Sequence, residues 1–200
     1  LPIKKEWIDI NHYVLDLKKK YRNKIKSILN KTSNVDVRNL SAVSLEGLAP
    51  EISNLFDQVV ESSEFQGPRF NTESFASFVK KDFMKVDGYF IDNKLVGFSS
   101  EIQQGKRLYS YFVGFDKQLN KKTPIYGRIL LQNISSAIRH KKSSLVLGRT
   151  ANEYKSNFGA YPIKSFIYIK IKNRFLRFFF RPIYANISVK KWKLRRPFKI

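Results

Sequence analysis

The chain predicts an α+β fold, a mixed and mainly antiparallel sheet with helices packed on it. Three observations carry that prediction. Residues 85–116 divide into three strand-like runs separated by two tight-turn sites, Asp92-Asn93-Lys94 and Gln104-Gly105. A helix, strand, helix, strand pattern follows, and amphipathic helical spacing precedes. With 200 residues, 42% of them apolar, there is enough material for one compact core, and no internal repeat or low-complexity linker divides it.

Taken in order, residues 11–31 predict a basic amphipathic helix. Val14, Leu17, Tyr21, Ile25, Ile28 and Leu29 recur at helical spacing, and Lys18, Lys19, Lys20, Lys24 and Lys26 fall mainly elsewhere. Residues 35–40 alternate as a short strand that gives way to a helix cap at Ser41 or Ser44. A second helix follows with Pro50 in its first turn and a stripe of Ile52, Leu55, Phe56, Val59 and Val60, to about Ser63. Gln66-Gly67-Pro68 marks a loop, and a third helix starts at Asn71 or Thr72. After the three strands (88–91, 95–103 and 106–115) come a loop (117–125), a helix (126–141) and a strand (144–149). A short helix capped by Thr150 and a strand over 164–171 complete the series.

The absence of cysteine excludes disulfide scaffolds, thiolate zinc sites and cysteine nucleophiles, and two histidines cannot build a His-rich centre, so no metal is expected. No apolar run approaches a membrane span and no signal segment opens the chain, which fits a cytoplasmic location. Because residue 1 is Leu, the chain is expected to be the C-terminal part of a longer polypeptide. The formal charge of +22 is unevenly spread: residues 1–31 carry +6, 32–102 carry −5, 103–163 carry +9 and 164–200 carry +12. No acidic residue follows Glu153, which points to an anionic partner and to phosphate first. A nucleic acid, a nucleotide cofactor, a phospholipid headgroup and a phosphopantetheine carrier all fit that description.

The element order, with antiparallel hairpins leading into strand-loop-helix-strand-helix-strand, resembles the GNAT acetyltransferase superfamily. Particular stretches point further: Asn11-His12-Tyr13 with Leu17-Lys18-Lys19-Lys20-Tyr21-Arg22, Leu95-Val96-Gly97-Phe98, and Tyr111-Phe112-Val113-Gly114-Phe115-Asp116. With Leu147-Gly148-Arg149-Thr150-Ala151, Glu153, Lys155, Gly159-Ala160 and the closing Arg196-Pro197-Phe198-Lys199, they are similar to the C-terminal acyltransferase domain of FemAB-like proteins. The resemblance covers nearly all 200 residues and implies one GNAT-like domain, with a second such domain upstream. It further implies transfer of an acyl or aminoacyl group to an amine acceptor, with acyl-CoA, an acyl carrier or aminoacyl-tRNA as donor. One departure is plain. The glycine-rich pyrophosphate loop of acetyl-CoA-binding relatives is replaced by residues 120–128, Asn-Lys-Lys-Thr-Pro-Ile-Tyr-Gly-Arg, which leaves Gly127 alone with Lys121, Lys122 and Arg128 to hold phosphate by charge.

In that fold the fourth and fifth strands splay and the acyl group lies between them, so residues 109–116 and 145–150 are expected to line the gap. Gly114 either marks a bulge that frees a main-chain N–H for the donor carbonyl or admits a close helix. Glu101 is a candidate base, although alternation with Ser99 and Gln103 favours an outward, solvated position. Asp116 is either catalytic or a turn residue. Arg149 and Lys155 are placed to bind an anionic donor, whereas Thr150 and Glu153 form a capping box. Tyr126 is the preferred acid among the tyrosines because it opens a helix beside the donor loop, and His12 and His140 read as surface residues.

The segment 173–200 is basic and aromatic. Arg174, Arg177 and Arg181 share one helical side, next to Phe175, Leu176, Phe178, Phe179 and Phe180, until Pro182 interrupts. It is either an interfacial helix at an anionic membrane or a core element packed on the sheet. Two functional readings therefore stand: an N-acyltransferase near the inner membrane face or acting on an envelope precursor, and a non-catalytic basic module holding RNA, an acidic carrier protein or anionic membrane. A stable DNA complex is not expected.

Overall fold

The structure, a computed structural model, describes residues 1–61, 70–166, 168, 170–185 and 192–199. The first helical pattern forms two helices, α1 (Ile10–Asp16) and α2 (Lys19–Lys31). Asp9 caps α1 by accepting the Asn11 and His12 N–H groups at 2.9 and 3.0 Å. The break falls at Leu17, which turns extended to bridge Phe198, while the Lys18 N–H donates to the Pro197 carbonyl at 2.8 Å. A long-range strand-like contact thus overrides local periodicity.

β1 (Asp36–Asn39) leads through Ser41, whose hydroxyl accepts the Ser44 N–H, into α3 (Ala42–Gly47) and then α4 (Ala49–Glu61), with Pro50 in its first turn. Residues 66–68 lie outside the described residues. α5 (Ser74–Lys80) precedes the meander of β2 (Lys85–Ile91), β3 (Lys94–Gln104) and β4 (Arg107–Phe115). Asp92 and Asn93 both adopt positive φ, 49° and 60°, as the two-residue hairpin turn demands. α6 (Ile125–Arg139), β5 (Ser144–Val146), α7 (Asn152–Ser156) and α8 (Arg174–Ala185) follow.

The sheet order is β1-β2-β3-β4-β5, antiparallel except for the parallel β4–β5 pair. Residues 1–3 add an antiparallel edge beside β5: Leu145 N–H donates to the Leu1 carbonyl and Ile3 N–H to the Ser143 carbonyl, at 2.8 and 3.0 Å. On one face, Leu45, Leu55, Phe56 and Phe75 of α3–α5 bury Val86, Phe90 and Phe98. On the other, Ile125 and Ile129 of α6 cover Tyr89 and Val96, and α1 and α2 pack Tyr13, Leu17, Ile25 and Ile28 onto the outer side of α6 through Leu130 and Ile134.

Three expectations need correction. Thr150 does not cap α7: Ala151 occupies that position at φ 52° with no side-chain bond, and the Glu153 carboxylate pairs instead with Arg195. Among the described residues of 164–171 there is no strand, Ile167 and Ile169 lying outside them, because apolar alternation there finds no neighbouring strand to bond. Pro182 does not interrupt α8, which continues to Ala185.

Candidate active site

β4 and β5 pair over only three positions, Arg107 with Ser144, Leu108 with Leu145 and Tyr109 with Val146. Beyond them β4 runs on to Phe115, while β5 ends and the chain turns at Gly148, φ 71°. A bulge in β4 accounts for the divergence. The register shifts between Ser99 and Glu101, setting Tyr111 and Phe112 against Ser100. The Ser100 hydroxyl accepts the Phe112 N–H at 2.8 Å and donates to the Phe112 carbonyl at 3.3 Å, so the bulge is pinned by a side chain. It lies two residues before Gly114. Gly114 itself admits α4: a Cβ there would stand 2.8 Å from the Leu55 carbonyl carbon and from the Phe56 nitrogen.

Four aromatic rings run from the end of β4 across the opening. Phe115 stacks on Tyr126 at 5.3 Å, Tyr126 on Tyr154 at 5.5 Å, and Tyr154 meets Phe158 at 5.5 Å. Lys24 of α2 sits 4.9 Å over the Tyr154 ring, and Ile28 lies against Gly127. Burial pushes the Tyr126 phenol well above its ordinary range, so it remains a protonated donor at neutral pH. Its hydroxyl has no hydrogen-bond partner among the described residues.

The loop before α6 closes on itself. The Asp116 carboxylate accepts the Leu119 N–H at 2.8 Å, and the Asn120 side chain accepts the Tyr126 N–H at 2.9 Å. Asp116 therefore satisfies the first N–H of a 3-10 turn at Leu119–Lys121, and the Asn120 side chain takes a first-turn N–H of α6 where a phosphate cradle was expected. Lys121 and Lys122 are exposed, with Lys121 Nζ on the Gln118 side chain at 2.7 Å. Arg128 Nε is buried without a hydrogen-bond partner among the described residues. Arg149 is exposed in the loop after β5. Lys155 turns inward: its Nζ donates to the Leu147 carbonyl, and burial lowers its pKa to about 8. The cationic donor candidates thus occupy quite different settings.

Glu101 is not solvated. It is 2% exposed, and α6 covers its face of the sheet. Ser136 donates to it at 2.6 Å and Asn133 at 2.9 Å, and the Asn133 carbonyl oxygen accepts the Ser110 hydroxyl at 3.0 Å. Glu101 is thereby linked to Ser110, the first β4 residue beyond the pairing with β5. Sequence reasoning missed its buried neighbour Asp87, which holds Lys85 at 3.0 Å and Asn39 at 3.3 Å. The available signal was polar residues at matched spacing: Lys85 and Asp87 on β2, and Asn133 and Ser136 continuing the helical stripe of Ile125 and Ile129.

Desolvation raises the Glu101 pKa above 4.5, against the lowering effect of its Ser136 and Asn133 bonds. Between 4.5 and that raised value the unfolded chain has lost the proton that the native state keeps, so stability falls as pH rises through this window. Glu101→Gln is expected to flatten the fall. Urea midpoints of the two proteins across this range check it, and parallel slopes would contradict the buried, proton-holding role.

A cleft on the α4 side is lined by Pro50, Ser53, Asp57, Phe70 and Glu73. Phe70 stacks on Phe112 of the bulge at 4.2 Å, which connects this acidic cleft to the splayed strand. Among the described residues no group of three or more histidines, aspartates or glutamates is placed to hold a metal.

No protein-family model matches the chain, nor does any curated protein sequence. Solved structures do match. FemX aligns with a TM-score of 0.55 at 9% identity, over 74% of this chain and 52% of FemX, so the chain spans about half of that protein. A mutant Bacillus halodurans protein aligns at 0.51 with 17% identity, over 68% of this chain and 99% of its own. An aminoglycoside acetyltransferase from an uncultured soil metagenomic sample aligns at 0.50 with 15% identity, over 69% and 99%. The five-stranded, mainly antiparallel sheet with flanking helices is the fold of GNAT-type acetyltransferases.

Proposed function

We propose that this chain is a GNAT-type N-acyltransferase related in role to FemAB-like C-terminal domains, moving an acyl or aminoacyl group from a phosphate-bearing donor to an amine. The observation that carries the reading is the splay of β4 from β5 after three pairs, which leaves the β4 edge from Ser110 onward without a strand partner on that side among the described residues. An extended pantetheine arm or an aminoacyl ester terminus matches such an edge. The acidic cleft, with Asp57 and Glu73 in a strongly basic protein, suits a cationic amine acceptor.

In the step itself the amine nitrogen attacks the acyl carbon, the carbon–sulfur or carbon–oxygen bond to the donor breaks, and the proton shed by the nitrogen is balanced by the one the departing thiol or hydroxyl takes up. Tyr126, kept protonated by burial in the stack at the end of β4, gives its proton to the leaving group and regains one from the amine. Glu101 acts from the α6 side of the sheet, opposite the acidic cleft, positioning the β4 edge through Asn133 and Ser110, and Asp116 holds the loop. Lys121, Lys122, Arg128 and Arg149 supply positive charge around the donor, beside Gly127 at the helix start. Because Asn120 and Ile28 occupy the expected backbone cradle, side-chain charge carries more of the donor binding than it does in a glycine-rich loop.

A panel of acyl-CoA, acyl-carrier and aminoacyl-tRNA donors with polyamine and amino-sugar acceptors tests this. Release of thiol or of free tRNA that depends on the acceptor is expected, with Tyr126→Phe lowering kcat about 10²-fold and leaving KM nearly unchanged. Folded protein that turns over no donor, yet binds RNA or carrier protein at the basic face, would instead establish the non-catalytic reading.

A further inference from the structure

We propose that α8 and the extended segment before it form a docking surface for an anionic lipid bilayer, a function separate from acyl transfer. α8 is a well-started helix: Asn173 accepts the Phe175 and Leu176 N–H groups at 2.9 and 3.3 Å. Yet its apolar side chains are left in water. Phe175 is 80% exposed, Phe178 77% and Phe179 70%, and Phe166 and Tyr168 in the preceding segment are exposed as well. No described residue covers them, and clustered aromatic exposure of this size marks an interaction site.

The charge selects the occupant. At about 100° per residue, positions 174, 177 and 181 fall within about 60° of one another around the helix, opposite Phe175, Leu176 and Phe179, and Phe178 falls at the border beside position 174. Residues 161–185 hold six Lys and Arg and no Asp or Glu. A second copy of the chain would bring the same cations against themselves, and a protein partner would have to supply both an apolar groove and an acidic rim. An anionic leaflet supplies both: acyl chains for the phenyl rings and phosphates for the arginines. The helix lies on the bilayer, since none in the described structure is long and apolar enough to cross one.

Flotation of the full chain with vesicles tests the proposal. Binding to phosphatidylglycerol-containing vesicles is expected to exceed binding to pure phosphatidylcholine at least about tenfold and to weaken in about 0.5 M salt. Phe175→Ser/Phe178→Ser/Phe179→Ser is expected to lose about tenfold or more of that binding with an unchanged thermal midpoint, and Arg177→Glu to lose binding to anionic vesicles selectively. Equal binding by the wild type and the triple variant would overturn the proposal, as would self-association or RNA binding that depends on the same phenylalanines without vesicle binding. Acyl transfer by soluble protein without vesicles is independent of every one of these results.

Discussion

Gly114→Val is expected to be among the most damaging single substitutions in this protein, lowering stability by about 3 kcal/mol or more. α4 crosses β4 at Gly114, and a side chain would meet the Leu55 carbonyl carbon and the Phe56 nitrogen at 2.8 Å, with the Phe98 ring closer still. Two of those three obstacles are main chain, which cannot rotate away. Relief requires α4 to lift from the sheet and expose the cluster of Phe56, Phe75 and Phe98. The thermal midpoint should drop by roughly 6–12 °C at this chain length. Gly47→Ala provides the contrast, since nothing lies within 4 Å of a Cβ there, and it should change stability little. Equal effects at the two positions would mean that α4 does not pack as described.

The second large effect concerns Lys155, whose pKa burial lowers to about 8 from 10.5. Between those values the unfolded chain keeps a proton that the native state has released, so stability rises with pH across that window. The difference corresponds to roughly 3 kcal/mol of cost for burying the ammonium at neutral pH. Lys155→Met is therefore expected to stabilise the protein at pH 7 by up to about that amount, less the hydrogen bond lost at the Leu147 carbonyl, and to abolish the alkaline rise. Denaturant midpoints at pH 7 and pH 10 for both proteins decide it. A variant no more stable at pH 7 but weakened in donor binding would return Lys155 to the donor site that its position in the sequence suggested.

The three strands and their two turns were legible in the sequence because Asp92-Asn93 and Gly105 carry turn chemistry that no helix tolerates at those positions, and positive φ values occur at all three. The helix, strand and short helix that follow β4 were legible from their own periods, whereas the strand expected over 164–171 is absent among the described residues there. Contacts between distant segments were not. Leu17 fits a continuous helix and breaks it only because Phe198, far along the chain, pairs with it. Alternation put Ser99 and Glu101 on one face correctly, but it could not say that α6 would cover that face.

The site divides along the same line. Local roles could be read, such as a turn role for Asp116 and close helix approach at Gly114. The bulge at Tyr111 and Phe112 could not, since it depends on the Ser100 hydroxyl from the neighbouring strand. Lys155 showed the limit of charge as a guide: a cation in the first turns of a helix after a strand suggests anion binding, and here it faces a carbonyl inside the protein.

The central claim is that the donor occupies the edge of β4 where it leaves β5. Amide chemical shifts of Ser110–Phe115 and Tyr126, followed while acyl-CoA, an acyl carrier protein and aminoacyl-tRNA are titrated in turn, test it most directly. The account predicts saturable shifts in these amides with the productive donor, and smaller ones in α8. Saturable binding of the productive donor that leaves 110–115 and Tyr126 unmoved would contradict it.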